Sequence, residues 1–207
     1  MFNFFRDNFL ISVYQFGFLP GHSTVLQLTE IYHHFCKAVS DGKEIRVVFL
    51  DIKKAFDRVW HRGLIFKLEQ CGISGKLLHW FADYLSERVQ RVILKGQYSE
   101  WLTIVAGVPQ GSVLGPLLFL IFINDLTHVI HFCDIRMFAD DTSLFITVDN
   151  REEAAALINH DLTNVQNWAD RWLVSFSPPK TESLIISNKT HLDRHPQLMF
   201  MDTPIKE

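Results

Sequence analysis

Several features are scarce or missing in this 207-residue chain. Its three cysteines, Cys36, Cys71 and Cys133, are widely spaced and form no CxxC pair. A scattered, odd set of this kind argues against a disulfide framework and a zinc site, and for a reducing compartment. No long apolar run occurs: the longest, VLGPLLFLIFI from Val113 to Ile123, spans 11 residues and includes Gly115 and Pro116. A membrane-spanning helix needs about 20 apolar residues, so the run is expected to be a buried core helix. The apolar start MFNFFRDNFLISVYQF is broken by Arg6 and Asp7 and precedes no small-residue cleavage site, which argues against a secretory signal. Internal repeats, low-complexity tracts and a Gly-rich phosphate loop are also missing. Nor is there the basic excess of a typical nucleic-acid-binding domain, since the net charge is −3.

What is present fits one large domain or two small ones, with 48% apolar residues to build a sizeable core. Charge is uneven: residues 43–100 carry a net +4, and residues 101–207 a net −6. A basic side facing a polyanion and an acidic side holding cations would produce this, and so would chance on a solvated surface. Residues 23–39 carry apolar positions 25, 28, 31, 32, 35, 38 and 39, a helical stripe capped by Ser23 or Thr24 and ended by Asp41-Gly42. EIRVVFLD, residues 44–51, reads as a buried strand. Residues 55–71 show helical patterning with polar breaks and Gly72 as C-cap, and residues 74–86 a further helix. RVQRVILKG and EWLTIVAG read as strands joined through QYS, and residues 113–130 as a long buried helix. IRMFA and TSLFITV are expected strands, residues 151–173 an amphipathic helix, and SLIISN and QLMFMD short closing strands. The order predicts an α+β fold, a small antiparallel sheet with helices packed mainly on one face.

The chemistry centres on Asp140 and Asp141, adjacent carboxylates inside an apolar run. Strand, two-residue Asp-Asp turn, strand is a hairpin whose tip presents both acids. Two such charges cannot both ionise cheaply without a cation, and oxygen ligands suit Mg²⁺ or Mn²⁺. Asp51, at the end of its apolar strand, is a third candidate. Together they can hold two divalent ions, the arrangement that activates a 3′-hydroxyl and steadies a leaving pyrophosphate. Taken alone, the pair is equally a surface turn, since Asp favours turns.

Three ordered segments decide between these readings: VVFLDIKKAFDRVWH, GVPQGSVLGPLLFLIFINDL and FADDTSLF. They closely resemble the palm motifs of reverse transcriptases from non-LTR (LINE-type, jockey-like) retrotransposons. QFGFLPGHST resembles that family's fingers-side motif, and NWADRWLVSFSPPKTESLII its segment after the active site. The resemblance runs from about Gln15 to Asn188. It implies a right-hand polymerase palm (an antiparallel sheet with helices packed on one face) plus part of the fingers, with the thumb absent. The expected divisions are 1–45 as a partial fingers segment, 46–190 as the catalytic palm, and 191–207 as the strands leading to a missing primer grip and thumb.

The same resemblance assigns roles residue by residue. Asp51 and Asp140 are the principal metal ligands, Asp141 a more peripheral one, and the Ile52 carbonyl a further candidate, for two Mg²⁺ or Mn²⁺ ions. Phe56 is the bulky residue under the incoming sugar, where a ring against C2′ selects deoxynucleotides. Gln110 and Gly111 lie against nucleotide and template, and Lys53 and Lys54 are candidates for triphosphate or template contact. So, less strongly, are Phe16, Phe18 and Arg58. Lys180 matches a lysine that protonates the departing pyrophosphate or neutralises its charge, whereas Asn124 and Asp125 read as structural. Each also has a plain reading, as a core aromatic, a loop glycine or a solvated lysine. The chain departs from the pattern at Leu19 and His22, where relatives often carry arginine, and at Ser177, where asparagine is frequent.

The implied function is RNA-directed DNA polymerisation, adding dNTPs to a primer 3′-hydroxyl on an RNA template. The implied partners are RNA template, DNA primer or target DNA, and dNTPs, with no membrane, and the expected location is intracellular, in nucleus and/or cytoplasm. The alternative is a truncated or repurposed fragment that binds RNA or protein without catalysis.

Overall fold

The computed structural model describes residues 2–8, 10–189 and 194–207. Residues 190–193, where the expected 46–190 and 191–207 divisions meet, lie outside the described residues, as do Met1 and Phe9. In chain order the first elements are α1 (Phe2–Asp7), α2 (Thr24–Ser40), β1 (Glu44–Leu50), α3 (His61–Gln70) and α4 (Gly75–Leu85). Four short strands follow, β2 (Val89–Gln90), β3 (Ile93–Leu94), β4 (Gln97–Tyr98) and β5 (Leu102–Thr103), and then α5 (Leu114–Ile123). The rest comprises β6 (Asp134–Phe138), β7 (Asp141–Val148), α6 (Arg151–Trp172), β8 (Glu182–Ile186), β9 (Met199–Phe200) and β10 (Thr203–Pro204). Among the described residues no helix is long and apolar enough to cross a membrane.

Packing divides the chain into two compact units, one of residues 1–53 with 123–207, the other of residues 54–122. The larger unit is built on an antiparallel sheet of order β6-β7-β1-β8. β1 occupies an inner position, and its sequence EIRVVFL is buried at every residue except Phe49. α2 begins where the Ser23 hydroxyl accepts the Leu26 amide, and ends at Asp41 with Gly42 at φ +75°. Its Ile31, Phe35 and Ala38 pack on Ile45, Val47 and Phe145 of the sheet. The expected apolar stripe is only partly used, since Val25, Leu28 and Tyr32 remain exposed. α6 is capped by the Asn150 side chain, which accepts the Glu153 amide, and Glu152 and Glu153 suit its N-terminal dipole. It buries Ala155, Ile158, Leu162, Val165 and Trp168, as its periodicity requires.

α6 also buries Asp161 completely. That carboxylate accepts the backbone amides of His131 (3.0 Å), Phe132 (2.9 Å) and Cys133 (2.8 Å), which fixes the loop entering β6. The helix expected over 113–130 stops at Ile123 and tightens into a 3₁₀ segment, Asn124–Val129. Asn124 and Asp125 are structural there. Asn124 accepts the Ser12 amide and donates to the Leu10 carbonyl, and Asp125 accepts the Trp168 indole N–H at 2.9 Å.

In the smaller unit, the patterned 55–71 segment splits into a 3₁₀ turn, Phe56–Arg58, and α3. The expected hairpin is corrected in one respect. QYS is not its loop; the turn is Lys95-Gly96, both at positive φ (49° and 77°), and Gln97 and Tyr98 lie in β4 opposite Leu94 and Ile93. A two-residue turn with both central residues left-handed matches the twist of the flanking strands.

Candidate active site

In the larger unit Asp51, Asp140 and Asp141 lie at the ends of neighbouring strands, and Lys180 lies beside Asp51. Asp51 directly follows β1, and its carbonyl accepts the Ser177 amide at 2.8 Å. Two residues on, the Lys53 amide donates to the Ser175 carbonyl at 2.7 Å. Ile52 is therefore bridged antiparallel to Phe176, and β1 is prolonged along residues 175–177. In such pairing, alternate residues present their backbone groups to opposite sides. Asp51 and Lys53 are bonded to residues 175–177, so the Ile52 carbonyl faces the other way, to the side on which β7 begins at Asp141. The chain past Ser177 turns through a 3₁₀ segment, Pro178–Lys180, which returns Lys180 Nζ to 3.5 Å from Asp51 Oδ2. That pair is partly solvated, with 70% and 37% of the two side chains exposed, so it contributes little to stability.

The acidic hairpin joins β6 and β7. Phe138 pairs with Asp141, so the two turn residues are Ala139 and Asp140, not the two aspartates. The difference separates the acids. Asp141 is exposed, starts the strand and borders an apolar groove of about 290 Å³ with Thr24, Gln27, Phe49 and Phe138. Asp140, on the turn itself, is half-buried. Burial first, and then the charges of Asp141 and Asp51, push its carboxyl above the usual range, against a lowering contribution from a backbone amide. Asp140 thus feels the charges of both other acids.

Whether these groups fit a divalent cation can be read from that donor set. It consists of carboxylate and carbonyl oxygens, the ligands of a hard cation. Among the described residues no group of three or more His, Cys, Asp or Glu side chains is placed to hold a metal ion. An ion such as Mg²⁺, which keeps waters and phosphate oxygens in its shell, needs only one or two carboxylates from the protein. The donor chemistry suits such an ion, with Asp51, Asp140 and the Ile52 carbonyl as the groups that would hold it.

The remaining expected residues, Lys54, Phe56, Gln110 and Gly111, belong to the smaller unit. Phe56 is half-buried and stacks on Phe119 of α5, with ring centroids 4.5 Å apart at 23°. Its carbonyl accepts the Val108 amide, which ties the Phe56 turn to the 107–111 loop. Gln110 donates from Nε2 to Asp57 Oδ1 at 3.0 Å. Gly111 stands at φ +78° with open space where a Cβ would be, so the backbone conformation, not crowding, calls for glycine. Gly107 is the crowded one: a Cβ there would lie 2.7 Å from the Asp57 carbonyl oxygen. A groove of about 770 Å³ in this unit is lined by Lys54, Arg58 and Arg88 with Asp57 and Gln110, a net basic surface. Lys53, in the larger unit, is exposed.

Of the aromatics considered for template contact, Phe18 is exposed whereas Phe16 is buried, its amide donating to the Met137 carbonyl of β6. Phe16 is therefore a packing residue. Gln15 and Gly17 lie in the QFGFLPGHST motif, but their contact with the acidic turn is not legible there; Asp161, whose partners are all backbone amides, is not singled out at all. No spacing rule would have revealed these contacts.

A family described as reverse transcriptase (RNA-dependent DNA polymerase) matches residues 5–198. A probable RNA-directed DNA polymerase from transposon BS of Drosophila melanogaster is 38% identical over 86% of the chain. The RNA-directed DNA polymerase from mobile element jockey of the same organism is 34% identical over 87%. In each case the chain spans 20% of the relative's length. Among solved structures, telomerase from Candida albicans in complex with a fragment of telomeric RNA aligns over 99% of the chain at TM-score 0.65 and 13% identity. Apo telomerase from Candida tropicalis, truncated from its C-terminal domain, aligns over 99% at TM-score 0.63 and 13% identity. These structural likenesses concern the fold alone, an α+β arrangement of the palm type.

Proposed function

Because this chain belongs to the reverse transcriptase (RNA-dependent DNA polymerase) family, we propose that it carries the catalytic palm of a non-LTR retrotransposon polymerase. Its reaction is the addition of deoxynucleotides to a primer 3′-hydroxyl on an RNA template. The observation that supports this reading is geometric: Asp140 stands on the β6–β7 turn, Asp51 follows the adjacent strand β1, and Lys180 Nζ lies 3.5 Å from Asp51.

Asp51 and Asp140 are the principal ligands for two Mg²⁺ or Mn²⁺ ions, with the Ile52 carbonyl as a further ligand and Asp141 at the periphery. When bound, such ions lower the pKa of the attacking hydroxyl and offset charge on the leaving oxygens. The primer 3′-hydroxyl releases its proton to solvent as its oxygen bonds the α-phosphorus, and the bond from that phosphorus to pyrophosphate breaks. Lys180 supplies a proton or a positive charge to the departing pyrophosphate. Phe56, held by its stack on Phe119, excludes a 2′-hydroxyl from the sugar site, and Gln110 and Gly111 contact nucleotide and template. Lys53 and Lys54 meet phosphate, which gives affinity without sequence preference. The partners are an RNA template, a DNA primer or target DNA, and dNTPs, and the work is done inside the cell, in nucleus or cytoplasm.

Primer extension on an RNA template with dNTPs and Mg²⁺ or Mn²⁺ tests this. Wild-type protein is expected to incorporate nucleotide and Asp140→Asn to fall to background. Equal incorporation by both overturns the assignment of Asp140.

A further inference from the structure

We propose that Gln15 is a positioning residue for Asp140, holding the Ala139-Asp140 turn in the one backbone conformation that presents the carboxylate to the metal site. The proposal rests on the reading of Asp140 as a metal ligand. Gln15 is 1% exposed, and all of its polar side-chain atoms are engaged at this turn. Oε1 accepts the Ala139 amide at 2.8 Å and the Gly17 amide at 2.7 Å, and Nε2 donates to the Ala139 carbonyl at 3.3 Å. One side chain thus satisfies both backbone groups of the residue immediately before Asp140.

Ala139 needs that support. Its φ is +54°, the left-handed region that a residue with a Cβ disfavours. Glycine, asparagine and aspartate are the usual occupants of such turn positions. Here an alanine is held by bonds from outside the hairpin. The backbone around Gln15 is itself fixed to the outer edge of β6: the Phe16 amide donates to the Met137 carbonyl, and the Met137 amide to the Tyr14 carbonyl. Gly17 completes the fit, since a Cβ at that position would lie 2.2 Å from the Ala139 nitrogen. The chain can approach the turn closely only with glycine there.

The chemistry explains the residue type. The turn requires one group that both accepts and donates, on an arm long enough to cross from the neighbouring segment. Glutamate offers no donor and would bury a fourth negative charge beside Asp51, Asp140 and Asp141. Asparagine is one methylene short. Gln15 therefore acts on Asp140 through the backbone and touches no substrate.

The test compares Mn²⁺ binding, read from the free-ion electron paramagnetic resonance signal, in the wild-type chain, Gln15→Leu, Gln15→Leu/Ala139→Gly and Asp140→Asn. Gln15→Leu is expected to unfold cooperatively and to bind Mn²⁺ about tenfold more weakly, the scale on which outer-sphere partners act. Adding Ala139→Gly is expected to recover part of that loss, because glycine adopts positive φ unaided. Wild-type Mn²⁺ affinity in Gln15→Leu overturns the proposal, as does a loss that Ala139→Gly leaves untouched, which would signify general loosening. Wild-type affinity in Asp140→Asn overturns instead the metal reading beneath it. If Gln15→Leu does not fold, amide exchange in the wild-type chain decides. Slow exchange at Ala139 and Gly17, comparable to the interior of β6, supports the clamp, and rapid exchange at Ala139 overturns it.

Discussion

Asp140 is a half-buried carboxylate whose burial disfavours its charged form. Its carboxyl is pushed up by burial and by Asp141 and Asp51, so the folded chain binds a proton there more tightly than the unfolded chain does. A group shifted in that direction weakens the fold at neutral pH and ceases to do so once the pH falls low enough to protonate it in both states. Asp140→Asn is therefore expected to raise the melting temperature in EDTA at pH 7, by about 2–4 °C for each 1 kcal/mol relieved in a domain of this size. The gain should vanish in acid. With Mg²⁺ or Mn²⁺ added, wild type should be stabilised and the variant should not. Thermal melts with and without metal, at two pH values, check all three outcomes. A variant that melts below wild type in EDTA would show the carboxylate to be a structural partner instead.

At the scale of elements, the palm sheet is aligned by buried polar groups at its margins as well as by apolar packing. Asp161 is the clearest case. It projects from α6 and gathers the amides of residues 131–133 just before β6, which sets where that strand starts and hence the height of the Asp140 turn. Hydrogen bonds to a charged group contribute about 1.5–3 kcal/mol each. Asp161→Ala leaves three backbone donors without their partner and a cavity in the helix-sheet packing, and an equilibrium cost of about 2–4 kcal/mol is expected from denaturant unfolding. Asp161→Asn, which keeps one accepting oxygen, should fall between the two. Elements are also where the sequence was most legible. Ser23 and Asn150 each cap the helix that follows them, and EIRVVFL forms the strand its branched, apolar run requires. The misreadings have local causes. Lys95 and Ala139 take left-handed turn positions that their side chains do not advertise, so both hairpins were read with the wrong loop.

On the scale of the whole molecule, the larger unit is assembled from two stretches of chain with all of residues 54–122 between them. β1 is where they meet, and Glu44 secures its far end. That side chain, 2% exposed, accepts a fork of two bonds from Arg151 and is approached by Lys189 Nζ at 3.1 Å and His195 Nε2 at 3.1 Å. Arg151, and then Lys189, hold its carboxyl at about 2, against burial. Because the folded value lies below the ordinary 4.5, the stabilisation is complete above that pH and is lost as pH falls toward 2. Glu44→Gln is expected to lose on the order of 3 kcal/mol at pH 7. The gap between variant and wild type should close through that acid window. Urea midpoints measured across the range check it, and a gap independent of pH would place the contribution in packing.

The amino-acid sequence by itself determined the α+β class, the strand bearing Asp51, the hairpin bearing Asp140, and the family to which the motifs belong. These follow from short-range rules: periodicity, capping and contiguous motifs need only neighbouring residues. Tertiary structure alone decided which aspartate occupies the turn and which the strand, how Lys180 returns to Asp51, and that Gln15 braces Ala139. Those outcomes depend on contacts between residues far apart in the chain. Such contacts form only when burial has brought the segments together and left each polar group to find a partner or remain exposed.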